Sequence, residues 1–353
     1  MHRLEEISKK IKEPSTLMAE KAQAHLDNLT KPRGSLGRLE KVAARLCVIK
    51  GSLKLTQPTC GAAIFAADHG SALDGVSLYP REVTAQMVYN FLSGGAAMNV
   101  LCRQVDSVVK VVDVGVDHDF EDAPDLIHAK VARGTKSFLR EPAMTREQAL
   151  DAMMAGAKVA QDLIDSGCDL LIPGEMGIGN TTSSSALAAF FLHKDPREVT
   201  GRGTGLDDEG LLRKVDYIEK ALLLHKDLKP SDPVGVLAAL GGLEIAAIAG
   251  YALKAASLGV PVILDGIIST AGGFVACRIC PEALPYFFSG HASVEKGQAA
   301  MLKCMALDPL LDLDMRLGEG TGAALSVAVV RAAVAIYNEM ATFESAGVIG
   351  HDD

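Results

Sequence analysis

Four short apolar runs end on an acid within two residues of a glycine, and no other pattern limits the possible folds as strongly. They read AAIFAADHG, VVKVVDVG, DLLIPGEMG and VPVILDG, and they place Asp68, Asp113, Glu175 and Asp265 at equivalent points. Each run is partly β-branched, stops at small or polar residues and precedes a longer helical pattern. Buried parallel strands have this look where they reach the open edge of a sheet. Ligands of doubly wound sheets sit beyond the carboxyl ends of the strands, so an acid there is a candidate for chemistry. An acid after a strand also caps helices and solubilises loops. Both readings stand for each of the four.

The alternation begins near Thr59. Strands are expected near 61–67, 108–114, 169–173 and 261–265, and helices near 81–103, 145–166, 180–192, 207–225, 242–257 and 322–343. Strand–helix alternation implies a parallel sheet with right-handed crossovers. The first fifty residues are helical in pattern: Glu5 to Ile11, Ser15 to about Leu29, and Leu36 to Lys50, with a glycine- and proline-shaped loop between the last two. The fold class is therefore α/β, a Rossmann-like parallel sheet flanked by helices. A smaller helical domain is expected from residues 1–58 and 321–353, enclosing a catalytic domain of residues 59–320.

With 353 residues, 48% hydrophobic and 22% charged, the chain has material for a large core. A net charge of -9 argues against a general nucleic-acid binder. It leaves room for a small anionic ligand, since helix N-termini and a few cations hold phosphate locally. The first residues lack the apolar core of a signal peptide, and the most apolar region, Ala246 to Leu264, is broken by Lys254, Gly259 and Pro261. No membrane span is expected. Seven scattered cysteines point to a reducing cytoplasm. Cys277 and Cys280 form a C-x-x-C without a second pair, and read as buried thiols. The nine histidines are dispersed, so no metal is expected, and Asp68 and His69 read as hydrogen-bonding in the cleft; no cofactor is expected.

Two segments echo each other. GEMGIGNTTSSSALAAFF and GEGTGAALSVAVV each set a glutamate in a glycine loop that opens a small-residue helix. Such a helix start offers unpaired N–H groups to an anion. Gly318, Gly320 and Ala323 also satisfy G-x-G-x-x-A, with Glu339 about twenty residues on. The preceding LLDLDMRL makes a poor buried strand and too little chain follows, which disfavours a dinucleotide site. A site for a phosphorylated small molecule with one buried base fits better. Glu319, between two glycines, is a candidate base if desolvated and a helix cap if exposed. Arg202, Lys214 and Lys296 are candidate phosphate partners.

Taken together, GEMGIGNTT, LDGIISTAGG and RLGEGTGAAL closely resemble the nicotinate-nucleotide–dimethylbenzimidazole phosphoribosyltransferase family. The likeness continues through KPRGSLGRLE, ADHG, GVSLYPREVTAQM, VVDVGVD, GRGTGLDDEGLLRKVD and SGHASVEKG, nearly the whole chain. The resemblance implies transfer of a phosphoribosyl group from nicotinate mononucleotide to the lower-ligand base of a cobamide, by a homodimer. It implies that Glu319 is the general base and that Asp265 lines the site and helps handle the proton. It puts Glu175 and Gly177 at the ribose and phosphate, with Gly203 and Lys214 completing the anion site. The base pocket is expected from Tyr79, Pro80, Gln86, Met87 and Leu317. Tyr79 stands where some relatives carry a smaller residue, which bears on the choice among benzimidazole, purine and phenolic acceptors.

Overall fold

The computed structural model describes residues 2–121 and 123–349. Seven parallel strands form one sheet: β1 (Cys60–Ala67), β2 (Val108–Gly115), β3 (Leu126–His128), β4 (Leu170–Met176), β5 (Val262–Leu264), β6 (Phe287–Ala292) and β7 (Pro309–Asp312). Their order is β3-β2-β1-β4-β5-β6-β7. From β1 the chain winds outward through β2 and β3, then crosses back to β4 and winds the other way. The order therefore reverses between β1 and β4, where Phe65 lies opposite Glu175 and Ala66 opposite Met176. A doubly wound sheet opens its ligand crevice at this point.

All four expected strands are present. The three unexpected ones have identifiable reasons. β3 is only three residues long, β6 is FFSGHA and interrupts its apolar run with Ser, Gly and His, and β7 is a half-exposed edge strand. The helix expected over 81–103 is two helices, Val83–Leu92 and Ala97–Gln104, broken where Gly94 takes φ +74°. Asn99 ties the halves together, accepting from Ala96 N (3.2 Å) and donating to Phe91 O (3.1 Å). Helices Pro233–Leu240, Ile267–Ile279 and Lys296–Met305 were also unexpected.

Small residues set how closely the layers approach. Helices Arg146–Asp165 and Leu243–Ser257 cross at a pair of glycines. A Cβ on Gly156 would lie 1.8 Å from Ala247 O, and one on Gly250 would lie 1.8 Å from Met153 O. Any side chain at either position forces the backbones apart, which a core packed to crystal density resists. This close contact buries most of Leu243–Ser257. It also explains why the run reads as apolar without being a membrane segment.

The chain ends meet. Helices Thr16–Asp27 and Arg38–Lys50 pack on each other, and the latter packs on the long helix Thr321–Glu339. Thr30 N donates to Ala341 O (2.9 Å), Phe343 N to Asn28 O (3.0 Å), and His25 Nε2 lies 2.8 Å from Tyr337 O. The loop between the two N-terminal helices is anchored by a buried Lys31–Glu40 pair at 2.8 Å, with Glu40 also accepting Leu36 N. Among the described residues one helix, Thr321–Glu339, is long and apolar enough to cross a membrane; more than half of it is buried inside the fold. Cys277 and Cys280 form no disulfide; Cys280 is buried as expected and Cys277 is only partly so. Burial pushes their thiols up to about 12 for Cys277 and about 11 for Cys280, so both stay protonated.

Candidate active site

Beyond the carboxyl ends of β1, β4 and β5 lies a cleft of about 360 Å³, bounded at its far rim by the loop before Thr321–Glu339. The two echoing segments meet here. Each opens its helix from a glycine in the left-handed region, Gly179 (φ +95°) before Asn180–Leu192 and Gly320 (φ +98°) before Thr321–Glu339. Glu319 itself has φ +64°, a conformation that costs a non-glycine residue about 1 kcal/mol. Three successive left-handed residues, 318–320, turn the chain sharply enough to hold the Glu319 carboxyl in the cleft.

Contacts from β4 hold that turn. Glu319 N donates to Glu175 Oε1 over 3.1 Å, and the other Glu175 oxygen accepts from Asn180 Nδ2. A Cβ on Gly174 would lie 2.2 Å from Glu319 O, and one on Gly318 would lie 2.4 Å from Glu175 Oε1, so glycine at both positions is what lets the two loops touch. Asp265, at the end of β5, accepts Gly320 N (3.0 Å) and Ala323 N (2.9 Å) on separate oxygens. It caps the long helix from another segment of the chain and fixes the 318–320 turn.

The acids sit in a poorly solvated cluster. Glu319 is 7% exposed and its Oε2 has no hydrogen-bond partner. Burial, and then the charge of Asp265, raise its pKa to about 7, with a main-chain contact to Met98 working the other way. Burial is also the main reason that Glu175 rises to about 8, with Glu244, Asp265 and Glu319 adding repulsion. His291 lies 3.4 Å from Asp265, within ion-pair range but not aligned for a hydrogen bond. Burial alone would lower the imidazole pKa, and the Asp265 carboxylate outweighs it, so the pKa is raised.

Of the four strand-end acids, only Glu175 lines the cleft. Asp113 accepts Gly115 N and Val116 N at the end of β2, and Asp68 accepts Asp117 N. Both organise loops. Asp265 acts from beneath the cleft wall. His69 is wholly buried under the floor, between Glu244 Oε1 (2.7 Å) and Ser183 Oγ (3.2 Å), and has no access to a ligand.

Tyr79, Met87, Glu175, Gly177, Gly203, Leu317 and Glu319 all line the cleft. Lys214 stands one layer behind, fully buried, with Nζ donating to Thr181 Oγ1 (2.8 Å) and Gly201 O (3.3 Å). Burial pushes its ammonium down to about 8. Pro80 and Gln86 are exposed and do not line the cleft; Val83, one helical turn before Met87, does. The i, i+4 spacing of Val83 and Met87 was the available signal for this. Arg202 borders the small cavity beside Gly203 and Lys214, with its guanidinium donating to Leu206 O and paired with Asp208, whereas Lys296 is exposed and lines neither that cavity nor the cleft. Sequence reasoning missed Thr181, Ser293, Glu295 and Arg316, which are also among the residues that line the cleft. Among the described residues no group of three or more His, Cys, Asp or Glu is placed to hold a metal ion.

A doubly wound parallel sheet, a glutamate of raised pKa and a glycine-and-lysine corner suit an α/β group-transfer enzyme that acts on a phosphorylated small molecule. Comparison with known proteins narrows this. Residues 11–348 match the family model DBI_PRT, described as phosphoribosyltransferase. A nicotinate-nucleotide–dimethylbenzimidazole phosphoribosyltransferase of Geobacter metallireducens is 52% identical over 332 residues, covering 94% of each chain. Its counterpart from Geobacter sulfurreducens is 52% identical over 348 residues, 99% of this chain and 98% of the relative. The crystal structure of CobT from Thermus thermophilus superposes with a TM-score of 0.91 at 45% identity, covering 95% of this chain and all of that one. The chain belongs to this phosphoribosyltransferase family.

Proposed function

We propose that the protein transfers the 5-phosphoribosyl group of nicotinate mononucleotide to 5,6-dimethylbenzimidazole or a close benzimidazole. The products are α-ribazole 5′-phosphate and nicotinate, in the assembly of the cobamide nucleotide loop. The observation that carries the mechanism is the Glu319 carboxyl: it lines the cleft, has one unpartnered oxygen and titrates at about 7. A base with that pKa is ionised often enough at neutral pH and still strong enough to take an azole proton.

One nitrogen of the acceptor forms the new bond to C1′ as its other nitrogen gives its proton to Glu319. The C1′–N bond to nicotinate breaks with its electron pair going to the pyridine ring, and the anomeric carbon inverts. Cleavage discharges the pyridinium, so the leaving group needs little acid help. Proton removal contributes about 10² to 10⁴-fold, and holding acceptor and ribose in line supplies much of the rest.

Glu175 and Gly177 take the ribose and phosphate side, with Gly203 and the Lys214 ammonium at the phosphate. Asp265 keeps the Glu319 turn in place and raises its basicity. Tyr79, Met87 and Leu317 form the mouth where the flat acceptor enters, joined by Val83. The reading includes a helical lobe of residues 1–58 and 321–353 around a catalytic domain of 59–320, supported by the contacts between the chain ends. It also includes a homodimer working in the cytoplasm. A panel of bases incubated with nicotinate mononucleotide tests it. Nicotinate release only when a benzimidazole is added supports the assignment; strict preference for adenine or p-cresol overturns the acceptor.

A further inference from the structure

One acid in the cleft has no part in the reaction above. Glu295 stands just before helix Lys296–Met305, in the turn after β6, and is 5% exposed. Its Oε1 accepts the N–H of Gly203 over 2.8 Å, while Oε2 is buried and has no partner. A Cβ on Gly201 would lie 2.1 Å from Oε2, so the carboxylate lies flat against the 201–203 backbone only because residue 201 is glycine. Lys214 is buried behind the same loop, and a Cβ on Gly203 would come within 3.5 Å of its Nζ. Among the described residues that ammonium hydrogen-bonds only neutral acceptors, Thr181 Oγ1 and Gly201 O. A buried cation needs a counter-charge, and the Glu295 carboxylate supplies it, favouring the ammonium against the effect of burial.

The Gly203 N–H and the Lys214 ammonium are the donors that a phosphate entering this corner requires. One N–H cannot serve two anions, and two anions repel strongly in a corner shielded from water. We propose that Glu295 is a placeholder anion: it occupies the Gly203 N–H and balances Lys214 in the unliganded protein, and the phosphate of the mononucleotide displaces it. The inference rests on the reading of this corner as the phosphate site. Glu295 then keeps the 201–205 loop shaped and Lys214 charged while the site is empty. Its return after turnover competes with the product's phosphate and speeds release. Affinity for the phosphate end is lower than the donors alone would give.

The test is calorimetric titration of the wild type and Glu295→Gln at pH 6.5 with nicotinate mononucleotide, inorganic phosphate and nicotinate riboside. Glutamine keeps an oxygen acceptor for Gly203 N–H and nearly the same volume, but removes the charge. Removing a nearby anion is expected to tighten mononucleotide and phosphate binding by about fivefold or more, with riboside binding unchanged. Equal or weaker mononucleotide binding by the variant overturns the inference alone. Failure of the wild type to bind mononucleotide overturns the proposed function and this inference with it. Should the variant not fold, a crystal structure of the wild type with mononucleotide decides: the Glu295 carboxylate is expected to have left the Gly203 N–H, and finding it still bonded there overturns the proposal.

Discussion

The main-chain N–H of Glu319 donates to a carboxylate oxygen of Glu175, a residue 144 positions earlier in the chain. This bond joins the loop that carries the proposed base to the strand at the switch point of the sheet. It means that the backbone of one glycine loop is held by the acid of the other. The proposed chemistry therefore depends on geometry supplied by β4 and β5 as much as on the Glu319 carboxyl itself.

Asp265 is the second support. Its two oxygens accept Gly320 N and Ala323 N, and an asparagine can offer an oxygen to only one of them. Asp265→Asn is expected to destabilise the protein by about 1–3 kcal/mol through the orphaned N–H. Because the Asp265 charge raises the Glu319 pKa, the variant should also move the acid limb of the rate profile to lower pH. Denaturant unfolding and a pH–kcat series measure the two effects. An acid limb that stays in place contradicts the coupling.

Stability and activity should respond to pH in opposite directions. Glu175 and Glu319 titrate at about 8 and about 7 in the folded state, against 4.5 ordinarily. Between pH 4.5 and about 8 the native protein thus holds protons that the unfolded chain has released. Unfolding free energy then falls as pH rises, by at most about 1.4 kcal/mol per pH unit for each group. Turnover rises over the same interval as Glu319 ionises. Unfolding at pH 5, 6.5 and 8 should show the decline, and Glu175→Gln should flatten it. An identical slope in wild type and variant contradicts the assignment.

Lys214→Met removes the buried ammonium and keeps an unbranched side chain of similar length. Loss of a charged hydrogen bond to phosphate is expected to raise KM for nicotinate mononucleotide about 10- to 100-fold, with KM for the acceptor little changed. In the wild type, mononucleotide binding should weaken above pH 8 as the lysine, lowered to about 8 by burial, loses its proton. Steady-state kinetics with each substrate varied in turn separates the two KM values. An equal rise in both contradicts a phosphate-specific role.

The sequence made the central strands and the acids behind them legible because β1 and β4 are buried along their whole length, so their composition is uninterrupted by polar residues up to the terminal acid. Strands β6 and β7 were hidden for opposite reasons: one carries polar residues into the buried interior, and the other lies at the exposed edge. Strand ends also concealed the division of labour among the acids. Asp68 and Asp113 occupy the same sequence context as Glu175, yet each gives one oxygen to main-chain N–H groups outside the cleft, and Asp113 pairs its other oxygen with Lys130. Glu319 was marked by its flanking glycines, but its raised pKa depends on burial in the folded cleft and on the charge of Asp265, which no local pattern connects to it. Glu295 was overlooked beside Lys296 because charge alone suggested the lysine, and only the fold shows the acid buried and the lysine exposed.

Glu319→Gln assayed with nicotinate mononucleotide and dimethylbenzimidazole, alongside direct binding of both ligands, bears most directly on the proposed mechanism. The variant should fold and bind both, while nicotinate release falls by about 10² to 10⁴-fold. Turnover at the wild-type rate would show that the azole proton leaves by another route.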